Sequence, residues 1–307
     1  MTQRRILFVS NKTLNRNGTP RLEASYFNFY VAMAELGCAM EFYDTVSPAE
    51  PDFDKVVDRF KPTLVFSILT GNQQVTPHEP VKSIKNLTRS GAVKTFNWFC
   101  DDTWRYEPFS KPVCRLFSAC STPEPHMVDQ YRADGYESIH LGNWHVNETV
   151  ITLETNNKYD VGFVGGFNNQ RVSGLQTLQQ QGIRIGNIQG ATHEDMLSLY
   201  CNSKIGVNFS VNENDPQKRT QMKLRMFEVP ACRALLITQN HKGLEQFYVP
   251  GKEVEVFDTE EEMQDKVRFY LKNESSRKAI AEAGWARFMK EHTSRNRLGN
   301  LLDSLGV

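Results

Sequence analysis

A cation and a carboxylate, Arg225 and Glu228, lie three residues apart just before the apolar end of the stretch LRMFEVPACRALLITQ. On a helix this spacing puts both side chains on one face, while Leu224 and Phe227 lie on another. A guanidinium binds two oxygens of a diphosphate, and a carboxylate accepts from both hydroxyls of a ribose. The pair therefore suits a nucleotide sugar. The alternative is a solvated ion pair that contributes about 0.3 kcal/mol.

Paired glycines, Gly165 and Gly166, end the apolar segment DVGFVGG. Because glycine has no Cβ, backbone N–H groups there can approach an anion, and the dipole of a following helix would add positive potential. The spacing is not G-x-G-x-x-G, and a tight turn is the alternative. The candidate residues for binding such a ligand are Gly165, Gly166, Arg171, Lys223, Arg225 and Glu228.

Two adjacent carboxylates, Asp101 and Asp102, directly follow the apolar run VKTFNWF. One of them could take a proton from an attacking hydroxyl, and the neighbouring like charge would raise its pKa toward that task. The alternative is that an aspartate in this position caps the next helix. We therefore treat both residues as candidate catalytic carboxylates.

A polar segment, NKTLNRNGTPRLE, follows the first apolar run and contains a further group of candidates. Loops at this position of a βα unit often carry function, although a solvent-exposed connection explains the composition equally well. The residues that could contact an acceptor are Asn17, Gly18, Arg21 and Glu23.

The elements that must position these residues form two rounds of one pattern. In the first half the apolar, β-branched runs are RILFVS (5–10), AMEFYD (39–44), TLVFSIL (63–69), VKTFNWF (93–99) and RLFSACS (115–121). In the second half they are DVGFVGG (160–166), IRIGNIQ (183–189), KIGVNFS (204–210), ALLITQ (234–239) and EVEVFD (253–258). Segments with helical spacing separate them, and the tail from residue 260 is nearly all helical in pattern.

This alternation predicts an α/β protein with two doubly wound, Rossmann-like domains, one over residues 1–150 and one over residues 151–307. In open parallel sheets ligands bind outside the carboxyl ends of the strands. With two such domains we expect the site in the cleft between them, with helices at the C-terminal end of the chain.

Composition narrows the class of protein. The 307 residues carry 36 basic and 36 acidic side chains, which argues against binding nucleic acid by bulk charge. The six cysteines are scattered, without zinc-ligand spacing, so we expect reduced thiols and no metal site. There is neither a signal-peptide core nor an apolar run of ~18 residues, so we expect a cytoplasmic protein without a membrane span.

The order of features in the second half resembles the C-terminal domain of CgeB-like glycosyltransferases, which are related to the group 1 glycosyltransferases with the two-domain GT-B fold. The resemblance covers roughly 145 residues; the first half matches more loosely through GTPRLEASYFNFYVAMAELG, EFYDT and FCDDTWRYEPF. Its matching blocks are YDVGFVGGFNNQR, SKIGVNFS, LRMFEVPACRALLITQ, GLEQFYVPGKEVEVFDTEEEM and RKAIAEAGWARFMKEHT.

The resemblance implies transfer of a sugar from a nucleotide-diphosphate sugar, of the UDP type, without a further cofactor. It places Glu228 at the donor ribose, Arg225 at the diphosphate and the two glycines at the phosphate-side turn. Two positions depart from the group 1 pattern: Arg233 stands where glycine is common, and Thr220 stands where the upstream glutamate is expected.

The acceptor stays open among polysaccharide, protein, small molecule and modified DNA. A phage-type transferase acting on hydroxymethylated pyrimidine DNA would need a basic track. The candidates for that track are Arg16, Arg21, Lys111, Arg115 and Arg132. A nucleotide-sugar epimerase of the same fold is a further alternative, and a two-lobed solute-binding protein is a non-enzymatic one.

Overall fold

The computed structural model describes residues 3–16, 19–152, 156–165, 171–212 and 215–307. Internal contacts divide the chain into two compact units. The first comprises Met1–Asn15, Pro20–Asn143 and Ser294–Val307, and the second comprises Arg16–Thr19 and Trp144–Thr293. The predicted domains of 1–150 and 151–307 differ from these units chiefly in the last fourteen residues, 294–307, which cluster with the first unit.

The first unit is built on a parallel sheet. The strands before residue 143 are β1 (Arg5–Ser10), β2 (Thr13–Arg16), β3 (Thr19–Leu22), β4 (Ala39–Asp44), β5 (Leu64–Ser67), β6 (Lys94–Trp98), β7 (Ala119–Thr122) and β8 (Ile139–Leu141). The main sheet has the order β4-β1-β5-β6-β7-β8 with every pairing parallel. Strand β5 is buried along its whole length, as expected for a parallel sheet covered on both faces.

Helices cover that sheet. A π-helical segment, Tyr26–Val31, leads into α1 (Ala32–Glu35), and another, Tyr106–Ser110, separates α4 from α5. The remaining helices are α2 (Phe53–Phe60), α3 (Val81–Ser90), α4 (Asp102–Arg105), α5 (Lys111–Cys114) and α6 (Pro125–Ala133). On one face of β1, Leu7 and Val9 pack into an apolar core, while Phe8 stacks with Phe29 and Phe66 on the other.

The second unit repeats the design. Its strands are β9 (Tyr159–Val164), β10 (Ile185–Ile188), β11 (Ser203–Asn208), β12 (Leu235–Gln239) and β13 (Glu255–Phe257), in the all-parallel order β10-β9-β11-β12-β13. Along β12, Leu235 and Ile237 pack on one core and Leu236 on another, so both faces of this sheet are covered.

The helices that cover the second sheet are α7 (Arg171–Gln180), α8 (His193–Cys201), α9 (Arg225–Ala231), α10 (Glu260–Lys272) and α11 (Glu274–Glu291). Short 3₁₀ turns span Glu148–Val150 and Leu244–Gln246. The chain ends with α12 (Ser294–Ser304), which packs on α1 of the first unit. The side chain of Arg4 holds this end of the chain by donating from Nε to the Val307 carbonyl at 2.7 Å.

Two local predictions are corrected here. The polar segment expected to be a loop over residues 11–23 contains β2 and β3, which pair with each other as a separate small sheet. The helix expected to include Leu224 begins at Arg225, and Leu224 stands at its N-cap position.

Candidate active site

The guanidinium of Arg225 joins the carboxyl ends of two neighbouring strands. Its Nη1 donates to the carbonyl of Val164 at 2.6 Å, and its Nε donates to Oδ1 of Asn208 at 3.1 Å. Val164 is the last residue of β9 and Asn208 the last residue of β11. Asn208 is itself fixed, because its Nδ2 donates to Oγ1 of Thr238 on β12 at 2.9 Å. The arginine therefore stands at the sheet edge where doubly wound folds bind ligands.

Gly165, the other described candidate for the diphosphate on this side, lies beside this guanidinium. A Cβ at Gly165 would lie 3.5 Å from Arg225 Nη1 and only 2.9 Å from Cζ of Phe163. The backbone N–H of Gly165, however, donates to the Ile188 carbonyl at 3.3 Å. It thus continues the pairing of β9 with β10, and the role of Gly165 in this structure is close packing against Arg225.

Glu228 lies one helical turn after Arg225 and is buried, with 1% of its surface exposed. Its Oε1 lies 3.6 Å from Nδ1 of His193, the first residue of α8, and has no hydrogen-bond partner within the described part of the chain. A buried carboxylate oxygen without a hydrogen-bond donor is costly. A charged Glu228 at this place therefore requires a compensating contact. The ion pair between Arg225 and Glu228 that the spacing allowed is not formed among the described residues.

Tyr200 completes this buried polar group. Burial raises the pKa of its hydroxyl; the positive charge of Arg225 lowers that pKa, and the negative charge of Glu228 raises it. Both charges therefore lie close enough to act on one phenol. Sequence reasoning missed Tyr200, His193 and Asn208. The available signals were a polar residue ending the run KIGVN and the helix start THED, where Thr192 and Asp195 form a capping box.

The two aspartates of the first unit have different surroundings. Asp102 is fully buried, and its Oδ2 accepts from the Tyr131 hydroxyl at 3.0 Å. Burial raises the pKa of this carboxyl to about 6, against the lowering effect of the Ser110, Thr122 and Tyr131 hydroxyls. Asp102 is thus enclosed within the first unit, and this burial favours a structural role for it.

Asp101 is partly exposed and stands at the carboxyl end of β6, at the N-cap position of α4. Its carboxylate makes no capping hydrogen bond; its Oδ2 accepts from the Cys100 thiol at 3.7 Å. The capping alternative does not account for this side chain. Of the two aspartates, Asp101 is the one whose carboxylate an acceptor can approach.

The other candidates are placed as follows. Arg21 is exposed on β3, and Glu23 follows that strand with its N–H bonded to the Lys12 carbonyl at 3.1 Å. Lys223 precedes α9, and its carbonyl accepts from Met226 at 3.0 Å. Arg171 is the first residue of α7. Asn17, Gly18 and Gly166 lie outside the described residues.

Three of the five residues of the basic track that a DNA acceptor would need already have partners. Lys111 contacts Glu107 and Asp134 at 3.3 and 3.2 Å. Arg132 lies 3.8 Å from Asp129, and Arg115 donates to the backbone carbonyl of Asp134 at 2.6 Å. Carboxylates therefore offset the charge of Lys111 and of Arg132, whereas the charge of Arg115 is not offset by its neutral partner.

Residues 152–303 match a protein-family model described as glycosyl transferase-like. The chain carries a glycosyl transferase-like domain with the GT-B fold. The expected class of enzyme, a glycosyltransferase, and the expected fold of two Rossmann-like domains are confirmed; the CgeB-like subfamily stays a prediction. No curated protein matches the sequence.

Several solved structures share the fold over nearly the whole length of this chain, at low sequence identity. The sucrose-phosphate synthase of Thermosynechococcus elongatus is 12% identical, with 99% of each chain covered and a TM-score of 0.66. Anabaena HepE in complex with UDP-glucose is 11% identical, with 98% of this chain and 99% of that one covered and a TM-score of 0.65. A glycosyltransferase of Rickettsia africae is 12% identical, with 99% and 98% covered and the same score.

The described residues offer no candidate for a membrane span or a metal centre. None of the helices in the described ranges is long and apolar enough to cross a membrane. Within those same ranges no group of three or more His, Cys, Asp or Glu side chains is arranged to hold a metal ion.

Proposed function

We propose that this glycosyltransferase moves a sugar from a nucleoside-diphosphate sugar, of the UDP type, to a hydroxyl acceptor, with no further cofactor. The observation that carries the proposal is the guanidinium of Arg225 at the carboxyl ends of β9 and β11, 2.6 Å from the Val164 carbonyl and 3.1 Å from Asn208. A guanidinium held by two neutral acceptors keeps its full positive charge, whereas a carboxylate partner would offset it.

Arg225 would bind the diphosphate. Among the described residues, its bonds to Val164 and Asn208 use Nη1 and Nε and leave Nη2 for a phosphate oxygen. As the bond between sugar and phosphate breaks, negative charge grows on the departing diphosphate. A cation fixed in advance stabilises that charge more in the transition state than in the bound donor, which lowers the barrier.

Glu228 would accept from the ribose hydroxyls. Its Oε1 lacks a hydrogen-bond donor among the described residues, and a diol supplies two. The side chain lies one turn along α9 from Arg225, so one short helix offers a cation for the diphosphate and an anion for the sugar of the nucleoside. The complexes of HepE with UDP and with UDP-glucose support a donor of this class.

Asp101 would act on the acceptor. If the reaction inverts the anomeric centre, its carboxylate takes the proton of the attacking hydroxyl; if the reaction retains it, the carboxylate orients the acceptor. The partly exposed position after β6 supports this role. The nature of the acceptor, whether polysaccharide, protein, small molecule or modified DNA, is tested by transfer assays with each class.

Thermal shift with UDP, UDP-sugars and the other nucleoside diphosphates tests the donor site. A ligand at about 100 times its Kd should add ~2.7 kcal/mol to the free energy of unfolding. Arg225→Met and Glu228→Gln should reduce the shift sharply because each removes one charged contact. Arg268→Met is the matched control, since Arg268 lies on α10 and pairs with Asp265 at 2.7 Å.

Far-UV circular dichroism of each variant without ligand separates lost binding from lost folding. The donor-site assignment is wrong if no nucleotide stabilises the wild type. It is equally wrong if folded Arg225→Met and Glu228→Gln proteins keep the wild-type shift.

A further inference from the structure

A cavity of about 330 Å³ opens at the edge of the second sheet opposite to the candidate active site. Its wall includes Ser203 and Lys204, which begin β11, and Asn157 and Arg233, which precede β9 and β12. These residues stand at the amino ends of the strands, whereas Arg225 stands at the carboxyl ends. The donor site proposed above therefore does not use this cavity.

The wall of the cavity is basic. Among the described residues, its lining carries four cationic side chains and no carboxylate: Lys204, Arg233, Arg277 and Lys278. Just outside the wall, Asp160 pairs with Lys204 at 2.7 Å and with Arg184 at 3.0 Å, and Glu274 pairs with Lys278 at 2.6 Å. Adding Arg184 to the four cations of the wall gives five positive charges against two carboxylates, an excess of three.

One of these cations is nearly inaccessible to solvent. The side chain of Arg277 is 8% exposed, and its Nη1 donates to the Tyr270 carbonyl at 3.1 Å. Its nearest carboxylate oxygen, on Glu274, is 3.8 Å away, and Glu274 is also bound by Lys278. A buried guanidinium with only one distant and shared carboxylate gains from an anion placed beside it.

Another of these cations is held in an unfavourable backbone conformation. Arg233 has φ +56°, in the left-handed region, where a side chain other than glycine costs roughly 1 kcal/mol or more. Its guanidinium stacks on the ring of Trp285, 3.6 Å from the centroid, which fixes the charge at the cavity. Asn157, also in the wall, has φ +46°. The protein thus keeps an arginine where glycine would fit the backbone better.

We propose that this cavity is a second binding site, for a small ligand that carries two or more phosphate groups, and that it is separate from the donor site. An excess of three positive charges matches a multiply charged anion, and planar guanidinium groups bind phosphate oxygens in pairs. A volume of about 330 Å³ is sufficient for a diphosphate-bearing ligand.

Isothermal titration with inorganic pyrophosphate at low ionic strength tests the site, with orthophosphate as the weaker comparison. Arg233→Gly removes a cation at a backbone position that favours glycine, so the variant should fold. Lys278→Gln removes a cation whose side chain is 72% exposed. Each should weaken pyrophosphate binding about tenfold or more, since a charge-assisted hydrogen bond is lost.

Two controls separate this site from others. Lys290→Gln neutralises a lysine on the same helix, α11, whose side chain is 76% exposed, and should leave the affinity unchanged. Arg225→Met should abolish the UDP shift and keep pyrophosphate binding. Equal affinity in wild type, Arg233→Gly and Lys278→Gln would overturn the proposal, as would a loss confined to Arg225→Met or a wild type that binds no pyrophosphate.

Discussion

Replacing Asp102 with asparagine should change how the stability of the protein depends on pH. In the wild type this carboxyl is fully buried and hydrogen-bonded to Tyr131, and burial raises its pKa from 3.8 to about 6. Asparagine has nearly the same shape and does not ionise. The variant therefore removes one titration and leaves the packing of the first unit in place.

The sign and size follow from the two pKa values. Because the folded state holds the proton more tightly, this group stabilises the fold below pH 3.8, and that stability is lost as pH rises through about 6. The interval between 3.8 and about 6, at roughly 1.36 kcal/mol per pH unit, amounts to about 3 kcal/mol. Most of this total, about 2 kcal/mol, is lost between pH 4 and pH 7.5.

Urea denaturation of wild type and Asp102→Asn at several pH values between 4 and 7.5 measures this loss. The variant should gain about 2 kcal/mol relative to wild type across the interval, whatever constant offset the amide introduces. Taking the difference between the two proteins cancels other carboxyls, such as Asp160, whose pKa is lowered by its hydrogen bonds to Arg184. A difference that stays flat with pH would refute the burial argument.

Asp101→Asn is the paired variant: it should keep the wild-type fold and lose sugar transfer, because the proposed acceptor role lies with Asp101. Substitutions at three further positions, in the second unit and in the C-terminal tail, should change the free energy of unfolding in different ways. Gly284→Ala should lower the free energy of unfolding by about 1–3 kcal/mol, because a Cβ there would lie 2.3 Å from the Glu253 carbonyl oxygen; Gly299→Ala, with nothing within 4 Å, should be neutral or slightly stabilising. Thr192→Ala should cost about 1 kcal/mol by removing the cap of α8, Thr192→Ser should restore it, and urea denaturation checks all of these.

Buried strands were predictable because they are apolar on both faces. The run TLVFSIL contains β5, which is buried along its whole length, and RILFVS coincides with β1. Strand β3 was missed because its sequence, TPRL, is fully exposed and carries no apolar alternation. The docking of α12 on the first unit depends on Arg4 and Val307, which are 303 residues apart, and no local pattern reports such a contact.

The candidate site was predictable to the same extent. The chemistry of a diphosphate ligand placed Arg225 and Gly165 in one group of candidates, and the structure brings the two residues next to each other. Asn208, which accepts from the guanidinium of Arg225, lies 17 residues before that arginine in the sequence. It was missed because its position next to Arg225 depends on the register in which β11 pairs with β12. Buried polar partners are chosen by packing between elements, and spacing within one element does not determine them.

The pair Arg225 and Glu228 shows why spacing alone was misleading. Residues three apart on a helix can form an ion pair, and each of these side chains has a different partner instead. Arg225 is the first residue of α9, and helical side chains point toward the N-terminus, so its guanidinium extends beyond the helix to Val164 and Asn208. Glu228 stands a turn later, where the same tilt directs it toward His193. The start of the helix therefore separates the two charges, and that separation leaves both available to one ligand.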